Sequence, residues 1–209
     1  VFKQLAPYMK LAEKIGALVS SLEQGRYKEI NIQYSGDVCE FNTVPLSTAV
    51  IQGILIPILG QENVNNVNAP IIAKERGIKV KEEKTKDIED FAHLISVNMK
   101  TEQGVEITVA GTLFGLNDVR IVRINGYHVD ASPEGVLLIC ENHDKPGFVG
   151  KIGTILGANN INIANMSLGR KEKGKNALVV FNIDDKIPSH VLDAIKALEQ
   201  IVEAKVIDL

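Results

Sequence analysis

The sequence predicts an α+β fold in two domains, a mixed α/β domain followed by a smaller βαββαβ domain. Three observations carry this. An amphipathic helical period opens the chain. Three strand-like segments follow one another up to Asn125-Gly126, and residues 135–209 then alternate strand, helix, strand, strand, helix, strand. At 209 residues and 45% hydrophobic content, the chain can hold one large or two small domains and can bury a core.

The opening helix covers residues 4–24, because Leu5, Tyr8, Leu11, Ile15, Leu18, Val19 and Leu22 share a face and Gly25 ends the pattern. No strand precedes it, so it reads as a helix arriving from an upstream part. Ile30, Ile32 and Tyr34 alternate as a strand. Thr43 is placed to cap a helix reaching Leu59, with Pro45 in its first turn. Asn63–Asn68 is turn-rich, and Ala69–Arg76 is a short helix stopped by Gly77. Lys81–Asp90 mixes both charges along a solvated edge. Ala92–Thr101, Val105–Phe114 and Val119–Asn125 read as strands, and Asn125-Gly126 is a two-residue hairpin signal. The mixed domain is thus expected over 26–134, joined through Ser132-Pro133-Glu134-Gly135 to a domain over 135–209.

In the last domain, Gly135–Cys140 is a buried strand and Phe148–Leu156 a helix with Phe148, Ile152, Ile155 and Leu156 on one face. Between them lies Glu141-Asn142-His143-Asp144-Lys145-Pro146-Gly147. Asp144 is expected to cap the helix, with Pro146 in its first turn. The helix start offers free N–H groups at Phe148 and Val149 and the positive end of a dipole, which suit a carboxylate. Asn142 and Asp144 suit an ammonium. The pattern fits a receptor for a small amino acid. Ile161–Leu168 and Ala177–Ile183 are strands; Val191, Ile195, Leu198 and Ile201 mark a helix; Glu203–Leu209 is a last strand. This order is the ferredoxin-like plan. The first strand is apolar throughout, so an outer edge would expose it, and edge-to-edge pairing of two copies is expected.

Composition narrows the function. A net charge of −3 without a basic cluster, and no Trp, argue against nucleic-acid binding. No apolar run approaches a bilayer span, and no signal peptide is expected. Cys39 and Cys140 lack metal-ligand spacing; they read as buried thiols of a reducing, cytoplasmic compartment. The chain begins at Val1 in helical pattern, as a fragment of a longer protein would. No G-x-G-x-x-G fingerprint occurs, and His93, His128, His143 and His190 have no evident acidic partner. The chain alone is therefore expected to be non-catalytic and without a cofactor or metal. Arg120, Arg123 and His128 form a candidate anion site, since guanidinium forks suit phosphate. At strand spacing Arg120 and Arg123 point to opposite sides unless the strand bulges or a second subunit contributes.

The Asn-His-Asp-Lys-Pro-Gly turn, with Asn162 opening the second strand, resembles the ACT domain, a regulatory module that binds amino acids, usually between paired copies. Further segments come in a set order: the helix Tyr8–Leu22, Tyr34-Ser35-Gly36, Asn42-Thr43, Asn65-Asn66-Val67-Asn68-Ala69-Pro70, Ile121–Gly126 and the ACT-like segment. Together they resemble the C-terminal regulatory half of long-form D-3-phosphoglycerate dehydrogenases, which oxidise 3-phosphoglycerate with NAD to open serine biosynthesis. The resemblance implies that residues 1–25 leave a catalytic part, that 26–134 is the allosteric-substrate-binding domain, and that the protein is a homo-oligomer. It also implies L-serine contacts at Asn142, Asp144 and Asn162, and a cationic role for Arg120 toward a phosphate-bearing metabolite. Ser132 stands where some relatives carry a basic residue. Two alternatives remain. One is the β-type chain of an iron–sulfur L-serine dehydratase, whose Ser-Ser-Ser-His stretch is lacking here. The other is a free-standing amino-acid sensor.

Overall fold

A computed structural model describes residues 2–87 and 90–209, so Ile88 and Glu89 of the mixed-charge stretch lie outside it. The chain forms two compact units that divide between Asn125 and Gly126.

In the first unit, α1 (Phe2–Leu22) and α2 (Val44–Leu59) pack on each other, with α3 (Ala69–Glu75) beside α2. The strands β1 (Tyr27–Gly36), β2 (Lys79–Thr85), β3 (His93–Thr101), β4 (Glu106–Phe114) and β5 (Asp118–Ile124) lie in the order β2-β1-β3-β4-β5. Only β2 is parallel to its neighbour β1. The charged stretch from Lys79 is thus a true edge strand. Its Lys and Glu side chains keep that edge soluble, and they also hide its strand period from sequence. The apolar stripe of α1 is fully buried at Leu11, Ile15, Leu18 and Val19, and Leu11 and Ile15 reach Gly111 of β4. Gly16 and Gly53 allow the two helices to touch backbone to backbone. A Cβ at Gly16 would strike Val50 O, and one at Gly53 would strike Glu13 O.

Thr43 is not a side-chain cap for α2. Its Oγ1 donates to Glu82 Oε2 at 3.2 Å, and Asn42 Oδ1 accepts from Val44 N–H at 3.2 Å instead. Tyr34 spans sheet and helix, its hydroxyl 2.7 Å from Ser47 Oγ, and burial drives its pKa well above the ordinary phenol range.

The second unit contains β6 (Tyr127–Ala131), β7 (Val136–His143), α4 (Phe148–Ala158), β8 (Ile163–Arg170), β9 (Asn176–Ile183), α5 (Ser189–Lys196) and β10 (Ile201–Asp208). Its antiparallel sheet runs β10-β7-β9-β8. β7 is therefore central, which corrects the expectation that it lies at an outer edge. Leu137 and Leu138, on opposite faces, are both fully buried, and that explains its lack of alternation. The edges are β8 and β10. Both helices cover one face, where Leu138, Cys140, Phe148, Ile152, Leu156, Phe181 and Ile195 pack together. Burial pushes the Cys140 thiol up to about 12, whereas Cys39 is only half-buried. β6 packs with this unit: Asp130 N–H donates to Ser167 Oγ at 2.8 Å, and the absent side chain of Gly169 leaves room for His128 O. α5 stops at Lys196 and Ile201 opens β10, so the apolar spacing that joined Ile201 to the helix crosses a real boundary. Among the described residues no helix is long and apolar enough to cross a membrane.

Candidate effector site

β7 delivers Asn142 and His143 to the start of α4. The chain turns at Gly147, whose φ of 90° is a left-handed conformation that glycine adopts without strain. Gly147 occupies the N-cap position, and the first intrahelical bond is Lys151 N–H to Gly147 O at 3.0 Å. The N–H groups of Phe148, Val149 and Gly150 precede that bond and are left for an acceptor. Phe148 itself is buried in the core, and Val149 is exposed.

Asp144 does not cap α4. It lies three residues ahead of Gly147, and its Oδ2 accepts from Arg170 Nη1 at 3.1 Å and from Gly174 N–H at 3.3 Å. Its own N–H donates to Lys175 O at 2.8 Å. Asp144 thus ties the β7–α4 turn to the β8–β9 hairpin. The Gly174 N–H and then the Arg170 guanidinium hold its carboxyl below the ordinary carboxylate range. Pro146 likewise falls before the helix rather than in its first turn.

Asn142 is only 2% exposed. Its Nδ2 donates to His143 O at 3.0 Å, but its Oδ1 is buried with no hydrogen-bond partner. A buried amide oxygen left unpaired costs free energy, and native structures rarely tolerate it without a reason. Around it stand residues that sequence reasoning did not assign to a site. His143 Nδ1 lies 3.0 Å from Asn176 Oδ1, and Asn176 Nδ2 donates to Glu141 Oε1 at 2.9 Å. Lys151 Nζ donates to Gln200 Oε1 at 3.0 Å. Arg170 and Asn176 are strand positions opposite the β7 end, and only the sheet register reveals them.

Asn162 is elsewhere. Asn142 and Arg170 share the register position of Ala177, whereas Ile163, next to Asn162, is level with Ile183 and Val136. Asn162 is thus at the far end of the sheet from the turn, its Nδ2 donating to Asp184 Oδ2 at 2.6 Å. One chain does not bring Asn142, Asp144 and Asn162 together.

Of the candidate anion residues, Arg120 and Arg123 share a face of the first unit's sheet, and His128 belongs to the second unit. β5 bulges at Val122: Ile121 pairs with Gly111 and Arg123 with the adjacent Ala110, leaving Val122 extra. Arg123, opposite Ala110, and Arg120, opposite Thr112, therefore emerge on one face of the sheet. Arg120 is engaged with Asp118, through Nε at 3.0 Å to Oδ1 and Nη2 at 3.0 Å to Oδ2, and it lies 5.9 Å from the Phe114 ring centre. Arg123 Nη2 is 3.8 Å from Asp90 Oδ2. His128 is an exposed residue of β6 in the second unit.

Comparison with known proteins follows the same division. Residues 4–125 match the D-3-phosphoglycerate dehydrogenase intervening domain, and residues 136–200 match the ACT domain. The chain is 36% identical over 210 residues to a D-3-phosphoglycerate dehydrogenase of Synechocystis, covering all of this chain and 38% of that protein. It is 36% identical over 206 residues to one from Methanocaldococcus jannaschii, with 99% and 38% covered. With the Bacillus subtilis enzyme the identity is 36% over 208 residues, covering 100% and 39%. The chain thus spans well under half the length of the curated relatives it matches.

Proposed function

The chain belongs to the family of D-3-phosphoglycerate dehydrogenase intervening domains, here followed by an ACT domain, and from that premise we propose that its second unit binds L-serine as a feedback effector. It is the regulatory part of such an enzyme. In this reading the NAD-dependent oxidation of 3-phosphoglycerate belongs to a part outside these residues.

The observation that carries the reading is the unpaired Asn142 Oδ1 beside the open N-terminus of α4. A serine ammonium donates to that oxygen and to the Asp144 carboxylate, whose described hydrogen bonds both fall on Oδ2. The serine carboxylate meets the N–H groups of Phe148 and Val149. Asn162 joins only from a second copy. Pairing of the β8 edges about a two-fold axis runs the strands antiparallel, so the Asn162 end of one lies beside the Arg170 end of the other.

Calorimetry with L-serine tests this. Asp144→Asn and Asn162→Ala should each lose about 1.5–3 kcal/mol of binding, roughly tenfold to beyond a hundredfold. Arg170→Met breaks the same turn-to-hairpin tie but keeps the Asp144 charge, so it should lose less than Asp144→Asn. Wild-type affinity in both Asp144→Asn and Asn162→Ala rules the site out.

A second reading concerns the first unit. The β5 bulge puts Arg120 and Arg123 on one face, which favours a phosphate-bearing ligand there. Asp118 competes for the Arg120 fork, so the ligand must displace it. An Arg120→Ala variant with unchanged phosphoglycerate affinity removes this reading.

A further inference from the structure

We infer that the first unit carries a separate oxyanion-binding cleft at Arg26 and Arg76, suited to a small phosphate monoester. The cleft opens where Gly25 and Arg26 lead into β1, beside Leu55 and Ile58 of α2 and the Arg76–Ile78 segment that follows α3. Glu102 stands on its rim. Its volume is about 260 Å³, at the small end for ligand pockets, which selects a compact metabolite.

Charge makes the case. Arg120 and Arg123 each face an aspartate. Arg26 and Arg76 have no ion-pair partner among the described residues. Two like charges around one cleft repel each other, and an anion held between them relieves that repulsion. Guanidinium forks bond phosphate oxygens in pairs.

Local backbone bonds fix the points at which both arginine side chains leave the chain. Arg26 O accepts from Glu102 N–H at 2.8 Å, and Arg76 N–H donates to Ile72 O at 3.0 Å. Gly77, with φ of 73°, then turns the chain into Ile78. Leu55, Ile78 and the partly exposed Ile58 form an apolar wall for a short carbon skeleton. The Glu102 carboxylate repels phosphate at close range, so it faces the hydroxyl end of the ligand and accepts from it.

The test is a titration of the isotope-labelled chain, at constant ionic strength, with inorganic phosphate and with glycerol 3-phosphate, read from backbone amide resonances. Saturable shifts are expected at Tyr27, Gly77, Ile78 and Glu102, with glycerol 3-phosphate binding more tightly than phosphate. The double variant Arg26→Met/Arg76→Met should lose about tenfold or more in affinity, and Arg26→Lys/Arg76→Lys should recover part of it. Both pairs are exposed substitutions, so amides distant from the cleft should keep their positions. The absence of saturable shifts, equal affinity in the Met variant, or shifts confined to β5 around Arg120 would each overturn the inference. None of these outcomes bears on serine binding in the second unit.

Discussion

Asn142 pairs a structural cost with the ligand role proposed for it. Removing its side chain takes away an unpaired buried oxygen, so Asn142→Ala should change the stability of the ligand-free protein by less than about 1–3 kcal/mol, the usual cost of an unsatisfied buried group. The same change should weaken serine binding by about tenfold or more, because the ammonium loses an acceptor. Urea denaturation and calorimetry on one sample separate the two effects. If stability collapses while affinity holds, Asn142 is structural only. Asp144 gives a pH test. Its folded pKa is depressed, so the tie to Arg170 and Gly174 contributes stability above the ordinary carboxylate range and loses it as pH falls through the lower folded value. A carboxyl titration followed by NMR should place Asp144 below a free aspartate, and Arg170→Met should move it upward. Asn142 and Asp144 were legible in the sequence as a turn between strand and helix. Their bonds were not, since the partners of Asp144 lie 26 and 30 residues away and only the folded hairpin supplies them.

At the scale of elements, the α1–α2 crossing depends on two glycines inside helices. Gly53→Ala gains roughly 0.5–1 kcal/mol of helix propensity. It also drives a methyl into Glu13 O, where backbone cannot give way easily. Overpacking of this kind typically costs about 1–3 kcal/mol, so the net should be destabilising. A lowered urea midpoint with an unchanged slope is the expected result, and a raised midpoint would show that the helices move apart freely. The Thr43–Pro45 start signal located α2, and periodicity located α1, because burial of one face dictates the spacing. It was silent on the crossing, since a helical glycine carries no period of its own. The same limit applies to β2, whose charged residues show no alternation, and to the β5 bulge. At strand spacing only a bulge or a second subunit brings Arg120 and Arg123 together, and nothing in the sequence marks Val122 as the extra residue.

At the scale of the whole molecule, each unit has its own helices and core, and the order of the two was legible from the βαββαβ alternation that begins at Gly135. Self-association was expected from the apolar first strand of the second unit, and that reason fails because β7 is central. The expectation of assembly then rests on β8, an edge strand with Met166 41% and Leu168 43% exposed. Unpaired edges with apolar side chains invite a second strand, and a two-fold pairing places residues near the middle of β8 opposite their own copies. A charge introduced there meets its like across the axis, and like charges directly opposite on paired strands destabilise the pair. Met166→Glu should therefore shift the protein from dimer toward monomer in sedimentation velocity at micromolar concentration, with little change in the stability of each chain. In the proposed site Asn162 comes from a second copy, so serine affinity should fall in the same variant and recover as protein concentration rises. A wild-type chain that sediments as a monomer yet binds serine fully would separate the effector site from assembly and remove Asn162 from it.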